Sequence, residues 1–485
     1  MSITSALSNA TSGLSVASKR ADVVSNNIAN ALTPGFAKRN VHVSENVLAG
    51  SGAGVNFDGV TRTVDQALTR DRRLADSAFM RDQTIATTYL SFNNALGEPG
   101  DPFSLFSQYQ NFESSLRSLS QTPESQPLQA QVLDAAKALT SAFHQLAADV
   151  QSTRQNADAK IAEQVDFVNS ALKQIEKLNS EITTASAGGR DATALEDQRK
   201  VLIDKISEVL PVKEVRRSDG KIGLITTEGA VLIAETAREL SFTPTNAITP
   251  DLTFGAGDLS GLTVGTTELT PGGSGVFAVN KGVLAGLFNV RDEIAPEFQM
   301  QIDGLARDVI ERFEGVDPTL MPGDPGLFTD AGAAFNPATE IGLSGRIAVN
   351  ATVDPDLGGA VWRLRDGIGA VAEGAAGNAN IILAMLDSLT ALRTPPAGTG
   401  LSGTLSAIGA AANVTSAIGR SRITSESQLA ATAARSQSLN DAELAATAVD
   451  TDVELQQLLL IEQAFSANAR VIQAADDMMR TLTEL

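Results

Sequence analysis

The chain has 485 residues, a net charge of −20 and no cysteine; 43% of it is hydrophobic but only 4% is aromatic. Disulfides, thiolate catalysis and Cys-ligated metals are therefore excluded, and no dense Lys/Arg block offers the basic face that nucleic acid requires. A core of Ala, Leu, Ile and Val fits packed helices, and the length allows roughly three domains.

"MSITSALSNATSGLSVASKR" opens the chain without a charged n-region or a continuous apolar h-region, so no cleaved secretory signal is expected. No stretch approaches about 18 consecutive apolar residues, so no membrane insertion is expected either. Leu7, Ala10, Leu14, Ala17, Ala21, Val24, Ile28 and Ala31 follow one another at steps of three and four, a heptad seam. Its alanines make the seam narrow and allow a partner helix to come close. Asn26, Asn27 and Asn30 fall beside it, on flanking positions. Pro34 pushes Thr33 out of the helical region, and Thr33-Pro34-Gly35-Phe36 has the form of a type II turn. Residues 1–36 thus read as one terminal helix with a hard stop.

"KRNVHVSENV" reads as a short extended segment, and "GSGAGVNFDGV" follows as a Gly-rich piece. The latter lacks the third glycine of a dinucleotide loop and the Gly-Lys-Ser/Thr ending of a P-loop. Helix is expected from near Asp65 to Leu96. Asp101-Pro102 and Thr122-Pro123 read as cap and first position of the next two helices. The second of these runs to about Ala187 as one or two long helices. Within it Ile161, Val165, Val168, Leu172, Ile175 and Ile182 hold heptad spacing, with Asn179 in the one polar slot. Asp191 reads as the cap of a further helix ending at Pro211. Residues 37–210 are expected to be a linker and a helical bundle.

At 211 the texture changes. Short apolar runs are separated by Asp219-Gly220 and Glu228-Gly229, both hairpin-type turns, so 211–280 reads as a small β-rich outer insertion. Helix returns at 281, kinked at Pro296. Residues 316–358 read as loop with a few strands, and the chain from about 398 is helical in pattern, completing a second bundle segment over 281–450. In the last segment, 451–485, Leu458, Ile461, Phe465, Asn468, Ile472, Ala475, Met479 and Leu482 again step by three and four. The expected fold class is mainly α with a β-rich insertion (α+β), its terminal heptad helices forming a coiled-coil core segment. Periodicity alone lets those helices pair with each other or with copies in neighbouring subunits.

Nothing in the sequence suggests catalysis. His42 and His144 stand far apart, Asp317, Asp324 and Asp330 lack EF-hand spacing, and Glu196-Asp197 and Asp476-Asp477 point to different sides of their helices. No catalytic, cofactor-binding or metal residue is expected, and no enzyme.

"SNNIANALTPGF" is similar to the N-terminal signature of the flagellar rod, hook and hook-associated proteins. Ser25, Asn26, Asn27, Ile28, Ala29, Asn30, Thr33, Pro34, Gly35 and Phe36 match, while Ala31-Leu32 departs mildly from the small or polar pair usual there. The C-terminal "LLLIEQAFSANARVIQAADDMMRTLTEL" resembles the closing motif of that family. "LEDQRKVLIDKISEVL" and "GVLAGLFNVRDEIAPEFQMQIDGLA" resemble internal motifs of its hook–filament junction branch.

The resemblance implies a structural subunit exported through the flagellar type III channel without a cleaved signal. It implies assembly outside the cell, as a ring at the distal end of the hook, with the filament depending on it. The implied partners are further copies of the chain, the hook protein, the second hook–filament junction protein and a cytoplasmic export chaperone that masks the C-terminal helix. The two seams and the signature are the implied assembly residues, with the flanking asparagines bonding to neighbouring subunits. The nearest alternative is a hook or rod subunit, which should have a β-dominated interior. A cell-wall hydrolase with axial-type ends would need a catalytic carboxylate pair within 211–400, and none is evident.

Overall fold

The computed structural model describes residues 3–48, 51–98, 100–273 and 275–484. Gly50 of the Gly-rich piece and the outermost residues of both terminal segments lie outside these ranges.

The spine is α4 (Gln126–Ala187), one helix of 62 residues and so about 93 Å long at ~1.5 Å per residue. Beyond Pro127 it contains neither Gly nor Pro, and its ladder runs unbroken to Gly188 and Gly189. Val132, Ala136, Leu139, Phe143, Leu146 and Val150, then Ile161, Val165, Val168, Leu172 and Ile175, are buried along one stripe. Helices α3 (Leu105–Gln121), α5 (Thr193–Val209) and α7 (Ala295–Glu314) pack against that stripe. Phe112, Phe313 and Phe328 meet there with ring centroids 5.2–5.7 Å apart. Each buried ring contributes about 1.5–3 kcal/mol.

Two expected caps move. Ser104 caps α3, its Oγ accepting from the Ser107 amide at 3.2 Å, while Asp101 accepts from the Phe103 amide within the preceding turn. Thr122 is the C-cap of α3, and α4 begins after Ser125. At both places the Asp/Thr-Pro pair closes a turn, with Ser104 and Ser125 donating their amides to the carbonyls of Asp101 and Thr122. The helix then starts three residues later than its proline.

The insertion holds two small antiparallel sheets. β3 (Val212–Arg216), β4 (Ile222–Thr226) and β5 (Val231–Ile233) turn at Gly220 (φ +81°) and Gly229 (φ +104°). β6 (Leu240–Ser241), β7 (Thr263–Val264) and β8 (Thr267–Glu268) form the second. Asn179, the polar slot of α4, donates to the Ile222 carbonyl at 2.9 Å and accepts from the Ile222 amide at 3.2 Å, fixing β4 to the spine. Arg154 fixes the far end by donating to the Thr249 and Leu252 carbonyls.

α6 (Gly282–Asn289) enters α7 through a single π turn, Val290–Ile294. Pro296, without an N–H, follows directly, so the break lies just before the proline. β9 (Phe328–Asp330), β10 (Ile347–Val349), α8 (Arg363–Asp366) and α9 (Asn380–Thr390) complete the body, and the final body helix, α10 (Ala407–Thr447), lies along α2 (Gln66–Leu96). Asp65 caps α2, accepting from the Ala67 and Leu68 amides at 2.9 and 3.1 Å.

The remaining elements stand together. α1 (Ile3–Ala29) pairs with α11 (Thr451–Thr483), and a hairpin of β1 (Arg39–Leu48) and β2 (Ser51–Arg62) lies along α1. The hairpin replaces the expected linker after residue 37, with bulges at His42/Val43 and Glu45/Val47. The fold is mainly α with small β insertions.

Candidate assembly interface

The terminal helices run antiparallel. Asn27 near the end of α1 meets Glu454 near the start of α11, and Gly13 faces Asn468. A Cβ at Gly13 would stand 2.9 Å from Asn468 Nδ2, so this approach depends on the glycine. On α1, Ala10, Ala17 and Val24 are buried, Leu14, Ala21 and Ile28 half-buried, and Leu7 exposed. Val16 is also buried, on the face it shares with Asn9 and Ser12. The hairpin covers that face: the Val55 amide donates to Ser12 Oγ at 3.2 Å.

The signature residues divide. Ser25, Asn26, Thr33 and Pro34 are exposed; Asn30, Gly35 and Phe36 are half-buried. Phe36 donates its amide to the Thr33 carbonyl at 3.1 Å and Gly35 has φ +80°, the type II arrangement. Gly35 sits against α5, where a Cβ would come 2.3 Å from Val201 Cγ2.

The asparagines bond within the chain, and Asn27 is buried there rather than standing on a flank. Asn27 is 1% exposed. Its Nδ2 donates to the Arg39 carbonyl and to Glu454 Oε2, both at 3.0 Å, and its Oδ1 accepts from the Arg39 amide. Asn26 Oδ1 accepts from Arg39 Nη1, and Asn30 donates to the Asn26 carbonyl.

Glu454 completes this node: it is fully buried, with Lys38 Nζ 2.7 Å from Oε1. It lies four residues before Leu458, on the backward extension of the C-terminal seam, and an acid on that line was the sequence signal for it. A second, larger node lies within the body and ties α10 to α2, α5 and β3. Arg72 pairs with Asp76 (2.5 Å), Asp204 (2.8 Å) and Glu443, and Arg73 with Asp204 and Glu214 (both 2.6 Å). Lys200 reaches Asp204 and Glu443. Burial pushes the Asp204 and Glu443 carboxyls up, but these cations outweigh it and hold both below the ordinary value. Arg39 and Arg62 clamp the hairpin base to Asp197 on α5, at 3.1 and 2.6 Å.

Beyond this anchored base the pair is thinly covered. Of the C-terminal seam only Ala475 is buried; Leu458, Ile461, Asn468 and Ile472 are half-buried, and Phe465, Met479 and Leu482 are exposed. Leu455, Leu459, Leu460, Val471 and Met478 are exposed as well, Leu460 by 64%. A continuous apolar surface of this kind marks an interaction face.

Family models match three parts of the chain. Residues 7–36 match the flagella basal body rod protein, 91–319 the helical domain of flagellar hook-associated protein FlgK, and 443–485 the C-terminal segment of the flagellar basal body rod FlgEFG proteins. Both ends and the interior are therefore similar to axial proteins of the bacterial flagellum. Within that class the chain is similar to flagellar hook-associated protein 1. It is 27% identical to that of Bacillus subtilis over 239 residues, covering 47% of each chain. With that of Escherichia coli it is 25% identical over 321 residues, covering 64% of this chain and 56% of the relative. The chain thus spans about half the length of these relatives. The flagellar hook junction protein FlgK of Burkholderia pseudomallei has a solved structure with a TM-score of 0.45 and 19% identity, over 55% of this chain and 47% of that one.

Among the described residues no helix is long and apolar enough to cross a membrane, and no group of acidic or histidine side chains is arranged to hold a metal ion.

Proposed function

We propose that the chain is a structural, non-enzymatic subunit of the bacterial flagellum that assembles with copies of itself at the distal end of the hook and joins hook to filament. The observation that carries this reading is the terminal pair: locked at one end by the Lys38–Glu454 pair and held to α5 through Arg39, Arg62 and Asp197, it exposes leucines and methionines along the rest of its length. Such a face gains its stability in an assembly, where neighbouring copies cover it. Residues 1–36 and 451–485 are the assembly segments, and their seams pack side by side into the axial core. The predominantly helical interior favours a junction subunit over a hook or rod subunit.

The hook protein below, the second junction protein above and a cytoplasmic chaperone covering α11 during type III export complete the proposal. The test is electron microscopy of cells lacking the gene, with the medium probed for flagellin. Bare hooks with flagellin shed into the medium are expected. Loss of the hooks themselves would transfer the chain to the rod or hook, and intact filaments would end the axial reading.

A further inference from the structure

Where the hairpin base, α2, α5 and the β3–β4 turn converge, they enclose an open cleft of about 1020 Å³. Ten cationic side chains and four carboxylates line it among the described residues, an inversion of the balance in a chain of net charge −20. Several of the cations are neutralised in the ion-pair nodes above. Arg190, Arg199, Lys213 and Arg216 have no carboxylate within 4 Å among the described residues; Lys213 donates only to the Thr227 carbonyl. Arg199 is 8% exposed and bonds through Nη1 alone, to Asn179 Oδ1 and the Gly220 carbonyl. Burial, with Arg62 and Arg216 adding to it, holds its guanidinium below the ordinary value against the pull of Glu196 and Glu214.

Two further features face the same space. α5 begins there, its first amide, that of Thr193, already donating to Asp191 Oδ1 at 2.8 Å. The Thr193 hydroxyl beside it is buried and has no hydrogen-bond partner. Guanidinium groups without an ion-pair partner, beside an unpartnered hydroxyl, recognise carboxylates.

We infer that this cleft receives a carboxylate-bearing segment of a second copy of the chain, and that the segment is Asp476–Asp477 near the free end of α11. Both aspartates are exposed, and neither makes an ion pair among the described residues. They stand 22 and 23 residues beyond Glu454, roughly 35 Å along the helix from the anchored base at 1.5 Å per residue. A copy therefore cannot fill its own cleft. One cleft at the base and one acidic tip at the far end make a head-to-tail contact, which propagates from copy to copy into a ring or a helix. The inference rests on the proposed self-assembly and names the contact that sets its register.

The absence of native cysteine makes the test direct. Chains carrying Arg216→Cys and Asp477→Cys together, or either alone, replace the native chain in cells, and isolated hook–filament particles are treated with a short bis-maleimide. Cross-linked multimers with the double variant and only monomers with either single variant are expected. Monomers alone from the double variant, in particles that carry filaments, would overturn the docking and leave the junction reading standing.

A second arm needs no cysteine. Arg190→Glu with Arg216→Glu, which breaks no internal ion pair, is expected to lower filament attachment at least about tenfold. Adding Asp476→Lys and Asp477→Lys in the same chain is expected to restore it in large part. Undiminished attachment with the reversed cleft would likewise overturn the inference.

Discussion

Removing the Glu454 carboxylate leaves the Lys38 ammonium and one Asn27 amide hydrogen without their acceptor. Breaking a buried pair from one side is costly, although the Lys38 side chain, 21% exposed, keeps some contact with water. Glu454→Ala is expected to lower the opening free energy of the terminal pair by about 2 kcal/mol, read from amide hydrogen exchange in residues 451–483. Glu454→Gln, which keeps an acceptor for Asn27, should cost less. Gly35→Ala meets two obstacles, the φ of +80° and the Val201 methyl in its path. A loss of at least about 1 kcal/mol is expected, visible as a lower thermal midpoint. The sequence located the turn at Gly35 through local chemistry alone, but it put Asn27 on a flank, because the partner that buries it lies 427 residues away.

The elements differ in how far they carry their own stability. α4 is covered along its whole stripe, whereas α11 buries only Glu454 and Ala475. Isolated helical pairs of this length are marginal, so in the unassembled chain the amides of residues 460–480 should exchange at least about a hundredfold faster than those of residues 132–175. Equal protection would mean that the pair is self-sufficient. The node joining α2, α5 and α10 responds to pH in a definite direction. Asp204 and Glu443 have folded-state values below the ordinary carboxylate value, so the stability they contribute is fully present above about pH 4. It is lost as pH falls through their depressed folded values. Loosening of α10 from α2 on acidification, followed by hydrogen exchange, checks the sign; tightening would contradict it. Boundaries set by neighbouring residues, such as Asp65, Gly188 and Gly220, were legible in the sequence. Those at Asp101 and Thr122 were not, because each Pro turn is followed by a serine better placed to start the helix.

At the scale of the whole molecule, the two ends of the polypeptide fold back on one another and the rest of the chain is inserted between them. The matching heptads at Leu7–Ile28 and Leu458–Leu482 marked both ends as pairing helices but left open whether they pair with each other or with other copies, and the change of texture at 211 was readable. The hairpin over 39–62 and the ion-pair nodes were hidden, since both arise from contacts that only the closed fold creates. In the proposed assembly the apolar outside of the terminal pair is a contact between copies. Leu459→Ser with Leu460→Ser tests it most directly, because both side chains are largely exposed in the single chain and their loss leaves its fold intact. Cells carrying this variant are examined by electron microscopy while flagellin in the medium is measured. Hooks without filaments, released flagellin and a purified variant with native helicity are expected. Filaments as numerous as with the native chain would contradict it.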